Sequence, residues 1–337
     1  MKARLLAIFS AILGLGLFIY VIRQTGVSEI GANVRGLGAG FLLILAISSL
    51  RYLSRSLAWL RCMAPEERGV GFRALWRARL AGEAVGDLTF GPVVAEPLRL
   101  IVLGDKVSLS SGVSSLTVEN IAYTVSSCMM VMAGAAALLA GFGLRGSART
   151  AMLGALLAVS CVIVASIVFI NRRWAAGSSV AGALNRWLIR DADLRRGIDA
   201  RIRQLRELEE YVFDFYSRRP LDFLIVGIGE AAFHAGGVLE IYATLHLLGV
   251  DVNLSTAFLL ESVNRAINIA FIFVPALVGV DEALTKLLAE TLRLGGTAGV
   301  TLAIVRKIRM FFWIGIGLVF LSLSRRQKSQ KIMTTKG

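Results

Sequence analysis

The chain has 337 residues, 56% of them hydrophobic and only 18% charged, with a mean hydropathy of +0.69. That balance excludes an ordinary soluble domain and marks an integral membrane protein. The net charge of +14 points to topology and to anionic headgroups at the cytoplasmic face rather than to nucleic acid, because Lys and Arg collect in cytoplasmic loops.

A membrane-crossing helix needs about 20 apolar residues, since the hydrocarbon core is about 30 Å thick and a helix rises about 1.5 Å per residue. Taken in chain order, the first such run is Leu5–Ile22, too long for a signal-peptide core and without a small-residue cleavage site behind it. The second is Phe41–Leu60, carrying Arg51 and Arg55, followed by a basic stretch from Arg61 to Arg79. Leu80–Leu103 is apolar but interrupted by Gly82, Glu83, Gly86, Asp87, Gly91, Pro92, Glu96, Pro97 and Arg99. Clear spans follow at Leu116–Phe142 and Ala151–Ile170, then a polar region from Asn171 to Pro220. Apolar sequence resumes at Leu221–Leu248, Leu254–Val274, Ala276–Leu292 and Gly299–Leu323, and the tail is basic. Cys62, Cys128 and Cys161 have neither disulfide nor metal-type spacing.

The basic segments, including both termini, belong on the cytoplasmic side, with Arg23–Gly38, Gly143–Thr150 and Gly249–Leu254 outside. Parity then requires Leu80–Leu103 to enter and leave on one face as a re-entrant hairpin, which suits its Gly and Pro content. Leu254–Leu292, joined at Pro275, is either a second hairpin or two crossings. Phe90-Gly91-Pro92 ahead of Glu96 and Arg99 is echoed by Phe273-Val274-Pro275 ahead of Glu282 and Lys286, the weak signature of an inverted repeat with interrupted helices. In the polar region, apolar positions from Leu184 to Phe215 recur every three or four residues, predicting one long amphipathic helix over 183–216 on the cytoplasmic surface.

Ionisable residues inside a membrane cost about 2.5–3.5 kcal/mol each on insertion scales and therefore carry partners and purposes. Candidates are Arg51, Arg55, Glu83, Asp87, Glu96, Arg99, Glu119, Glu261, Arg265, Asp281 and Glu282, with Glu230, His234, Glu240, Lys286, Arg306, Lys307 and Arg309 in the flanking spans. Glu261 and Arg265, four apart, can pair on one helix face. Arg51 and Arg55 share that spacing but carry like charge, so they call for an outside anion: a phosphate, or carboxylates such as Glu96 and Glu119. Glu230 and His234 make at most half a metal site, and no catalytic triad or phosphate-cradling Gly-rich loop is present, so no metal, cofactor or catalytic residue is assigned.

Gly82-Glu83, Gly86-Asp87, Thr89 to Pro92 and Glu96-Pro97-Leu98-Arg99 resemble a signature segment of the flippase-like transmembrane family, that of the lysylphosphatidylglycerol synthase transmembrane region. Val118-Glu119-Asn120 is similar to that family's Glu-Arg pair, Pro275 to Ala283 to its second Pro-Gly-Glu signature, and Arg306-Lys307-Ile308-Arg309 with Trp313 to its closing span. The resemblance runs from about residue 40 to 322. It departs at Leu277-Val278, where a Gly-Gly is usual, and at Asn120. It implies a polar lipid pathway through Glu96, Arg99, Glu119, Asp281 and Glu282. The aminoacyl-transferase domain of the family's synthases is not part of a chain that stops at Gly337, so no enzymatic activity is expected of it.

The expectation is an all-α integral membrane protein of the bacterial cytoplasmic membrane, with about six to eight transmembrane helices and one or two re-entrant hairpins. Residues 1–325 form one polytopic domain and 326–337 a basic cytoplasmic tail. It would move an anionic or phosphate-bearing lipid between leaflets, alongside lipid-synthesis partner proteins. The alternatives are an intramembrane enzyme with Glu96 or Glu282 as base, or a scaffold.

Overall fold

The computed structural model describes residues 27–335 except 90, 142–145, 172, 174, 189–191 and 272–273, together with residues 20 and 23. Among them there is no strand. The helices are α1 (Val27–Gly36), α2 (Gly40–Cys62), α3 (Phe72–Leu88), α4 (Pro92–Leu103), α5 (Leu109–Gly141), α6 (Gly146–Asn171), α7 (Ala176–Leu188), α8 (Ala192–Arg218), α9 (Pro220–Leu247), α10 (Leu254–Ala270), α11 (Val280–Thr291) and α12 (Gly296–Thr335). The span expected at Leu5–Ile22 lies outside the described residues apart from Tyr20, as do Phe90 and Phe273 and the side chains of the basic tail.

Three of these helices, α2, α5 and α9, are long and apolar enough to cross a membrane. The distribution of residues around them is that of a protein solvated by lipid. Leu42, Leu50, Leu109, Leu157 and Leu221 point outward, while Arg51, Arg55, Arg79, Glu119, Glu230 and Glu261 are buried. In water the preference runs the other way. The chain is a multi-pass membrane protein.

The interrupted segments are helical hairpins with short arms. In the first, α3 has 17 residues and α4 has 12, about 25 and 18 Å long at 1.5 Å per residue. Gly91 opens the turn with φ +59° and Pro92 starts the next helix, where a missing N–H costs nothing. The arms run antiparallel and close together. A Cβ on Gly82 would stand 2.7 Å from the Ala95 carbonyl, and one on Gly86 would stand 2.9 Å from the Ala95 methyl.

The second interrupted segment has the same arm lengths, 17 residues in α10 and 12 in α11. The order long helix, 17-residue arm, 12-residue arm, long helix thus occurs twice, as α2–α5 and α9–α12. The two units interlock: α2 packs along α9, α3 of the first unit packs on α12 of the second, and α10 of the second packs on α5 of the first.

Three expectations need correction. The loop expected over Arg23–Gly38 contains α1, which packs on α12, with Asn33 Nδ2 donating to Thr301 Oγ1 at 3.4 Å. The basic loop to Arg79 ends early: α3 starts at Phe72, so Arg79 is fully buried inside it. The single amphipathic helix over 183–216 is a hairpin of α7 and α8. Glu209 accepts hydrogen bonds from the backbone N–H groups of Gly177 and Ser178 at 2.9 and 3.3 Å, and Asn185 donates to Asp199. A continuous helix would hold residues 185 and 199 about 21 Å apart.

That hairpin is fastened to the bundle through the end of α8. Val212 and Phe215 pack with Ala58, Cys62, Val118 and Val226, and Tyr211 donates to the Cys62 carbonyl at 2.7 Å. Burial raises the Tyr211 phenol above its ordinary range despite the neighbouring Arg219, so it stays a donor. Arg219 binds the open α2 end, donating to the carbonyls of Arg61 and Met63, both at 2.7 Å.

Candidate functional site

Among the described residues, the buried charges of the bundle outside the α7–α8 hairpin fall into three groups. The first joins α2, α3, α4, α5 and α9. Glu119 of α5 pairs with Arg55 of α2 and, at 3.0 Å, with Arg79 of α3. Arg79 also reaches Glu83 at 3.3 Å, and Glu83 binds Arg99 of α4 at 3.1 Å. Glu230 of α9 stands 3.8 Å from Arg55. Each carboxylate serves two cations or sits beside one already shared, the arrangement that makes charge tolerable at low dielectric.

The second group joins α2, α9, α10 and α12. Glu240 pairs with Arg51 at 2.7 Å and with Arg309, while Glu261 pairs with Arg265 at 2.8 Å and with Arg51 at 3.6 Å. Three guanidinium groups here share two carboxylates. Phe233 lies against this group with Arg51, Arg265 and Arg55 over its ring at 4.6, 5.2 and 5.5 Å, and Arg55 also covers Tyr123 at 3.9 Å. Such ring faces attract cations where water is excluded.

The third group holds the second break. Ala276 and Leu277 have φ +52° and +50°, in the left-handed region that penalises a Cβ. Lys307 of α12 donates to both their carbonyls, at 3.0 and 3.4 Å, and pairs with Glu282 at 3.1 Å. Glu282 accepts the Gly279 N–H at 2.8 Å, closing the start of α11. Asp281 pairs with Arg306 at 3.5 Å, and Thr285 lies between them, bonded to both.

Of the residues singled out from the sequence, Arg55, Glu83, Arg99 and Glu119 come together in the first group, Arg51, Glu261 and Arg265 in the second, Asp281 and Glu282 in the third. Arg51 and Arg55 do not depend on an outside anion for charge: protein carboxylates hold both, Glu119 among them. Glu96 is not one of those partners, and accepts instead from Asn120 at 2.6 Å. Asp87 lies among Glu83, Arg99 and Arg309 without an ion pair among the described residues. Arg79, Tyr123 and Phe233 were missed, although Arg79 stands four residues before Glu83, the same helical spacing that exposed Glu261–Arg265.

Two apolar grooves run along the outside. One, about 490 Å³, lies between α4 and α5 and has Glu96 at its edge among Leu100, Ile101, Val113 and Leu116. The other, about 740 Å³, lies between α2 and α9, lined by Leu50, Leu53, Leu57 and Gly236. Gly236 separates it from the second group by almost nothing, since a Cβ there would stand 2.7 Å from Arg51 Cγ.

Compared with known families, residues 6–318 match the one described as "Lysylphosphatidylglycerol synthase TM region". The chain belongs to this family. Membership of the lysylphosphatidylglycerol synthase transmembrane-region family ties it to membrane-lipid function. No curated protein and no solved structure matches it.

Proposed function

We propose that this chain moves a phosphate-bearing lipid between the leaflets of a bacterial cytoplasmic membrane, with both termini in the cytoplasm and without enzymatic activity of its own. The observation that carries the reading is the imbalance in the second group, where, among the described residues, Arg51, Arg265 and Arg309 form ion pairs only with Glu240 and Glu261. A buried surplus of guanidinium favours a third anionic partner, planar or tetrahedral in its oxygens, as a phosphodiester is. Arg51 Nε and Arg309 Nε are buried with no hydrogen-bond partner, and the α2–α9 groove abuts the Arg51 stem. Acyl chains in that groove would stay in an apolar setting while the headgroup moved among the arginines.

Reconstitution with labelled lipids tests this. Leaflet exchange of a phosphate-bearing lipid should exceed that of empty liposomes, and Arg265→Gln should slow it by about tenfold, the effect of losing about 1.4 kcal/mol of headgroup binding. Lipid extracts of cells with and without the protein should contain the same covalent species. Exchange no faster than in empty liposomes for every phosphate-bearing headgroup, or a new lipid species made by the protein, would overturn the reading.

A further inference from the structure

Glu230 and His234 lie one turn apart on α9, and Ser126 of α5 stands between them. Ser126 Oγ is 3.1 Å from His234 Nε2 and 3.4 Å from Glu230 Oε2, and it also reaches the Tyr123 carbonyl at 3.0 Å. Glu230 and His234 are 2% and 7% exposed, and Glu230 Oε1 and His234 Nδ1 lack hydrogen-bond partners. Glu230 gives Arg55 a long second contact at 3.8 Å, whereas Ser126 and His234 take part in none of the ion pairs described above. A hydroxyl accepts and donates at once, so it can link an imidazole N–H to a carboxylate where direct contact is absent.

The charged and titratable surroundings differ at the two ends. Glu230 faces Arg55 of α2, Glu119 of α5 and Arg79 of α3, with Tyr216 of α8 farther out. His234 faces Arg51 and Arg55 of α2 and Glu261 and Arg265 of α10, with the Tyr123 ring stacked at 6.5 Å. The imidazole therefore borders the group in which guanidinium exceeds carboxylate.

We propose that His234 is a proton site that fills when the anionic headgroup binds at Arg51 and Arg265, the proton being shared along His234, Ser126 and Glu230. This rests on the headgroup reading above. An arriving phosphate cancels positive charge beside the imidazole, and its Nε2 then takes a proton from bulk water. Nε2–H donates to Ser126 Oγ, whose own O–H turns to the Glu230 carboxylate. By linkage, whatever favours the anion favours the proton to the same degree.

The test uses purified protein in phosphatidylcholine nanodiscs, titrated with short-chain phosphatidylglycerol by calorimetry in buffers of different ionisation heat, which counts protons taken up per lipid bound. The wild type should take up about one proton, following from a single linked site. His234→Gln should bind the lipid without uptake. Ser126→Ala should need about tenfold more proton for the same uptake, a shift of about one pH unit, and Ser126→Thr should restore it. Lipid binding by the wild type without uptake, or wild-type uptake by His234→Gln, overturns the proton site and leaves the headgroup reading standing. Absence of lipid binding by the wild type overturns both. If His234→Gln does not fold, wild-type uptake in Ser126→Ala serves as the contrary result.

Discussion

Replacing Glu119 by Gln removes the carboxylate that Arg55 and Arg79 share, in a place where both Glu119 and Arg79 are fully buried. At 3.0 Å and an effective dielectric of about 20, the Arg79–Glu119 attraction alone is about 5–6 kcal/mol before desolvation. Removing one partner of a buried pair typically costs about 3–5 kcal/mol, because the remaining charge stays in place uncompensated. Arg79 keeps Glu83 at 3.3 Å and Arg55 keeps Glu230 at 3.8 Å, which places Glu119→Gln at the lower end, about 3 kcal/mol. Arg79→Gln should cost about the same, and the double variant less than the sum by about 1–3 kcal/mol, since one loss then excuses the other. Reversible unfolding in mixed detergent micelles measures all four corners of this cycle. Single losses below about 0.5 kcal/mol, or strictly additive ones, would refute the view that Glu119 holds the first group together.

The other predictions rest on backbone and packing. Ala276→Gly should stabilise the protein by about 0.5–1 kcal/mol, because a left-handed residue loses its Cβ penalty while glycine adds unfolded-state entropy; the same unfolding measurement checks it. Gly82→Ala should destabilise by about 1–3 kcal/mol, as its methyl would meet the Ala95 carbonyl and Arg99 Cγ, whereas Gly227→Ala, which meets nothing, should be neutral or mildly stabilising. Tyr211→Phe should cost about 1 kcal/mol, the worth of its bond to the Cys62 carbonyl, and should increase proteolysis of the α7–α8 hairpin.

The long helices were legible because a span leaves a run of apolar residues, and the first hairpin because charge-based topology demanded a return. The division into α7 and α8 was not, since apolar positions on both helices keep the same period and the pattern runs on from one to the other. The break at Pro275 was visible, but the left-handed Leu277 was not, because the usual glycine is absent there. For the charges, local geometry was readable and distant geometry was not. Glu261–Arg265 follows from a spacing of four, while the Arg51 partner Glu240 is 189 residues away, and spacing has no bearing on it. Tyr123 and Phe233 carried no signal, as aromatic residues in apolar helices are ordinary.

The exchange of α3 and α12 between the two units bears on how the chain is made. Leu80 and Ala84 of α3 are covered by Gly317 of α12, which is synthesised more than two hundred residues later. At about 5–20 residues per second, α3 waits tens of seconds in the membrane before its partner arrives. Over that interval Arg79 has Glu83, four residues on, as its partner at once, and Glu119 as soon as α5 is made. A nascent chain cut short before α12 would present this face of α3 uncovered to the quality-control proteases.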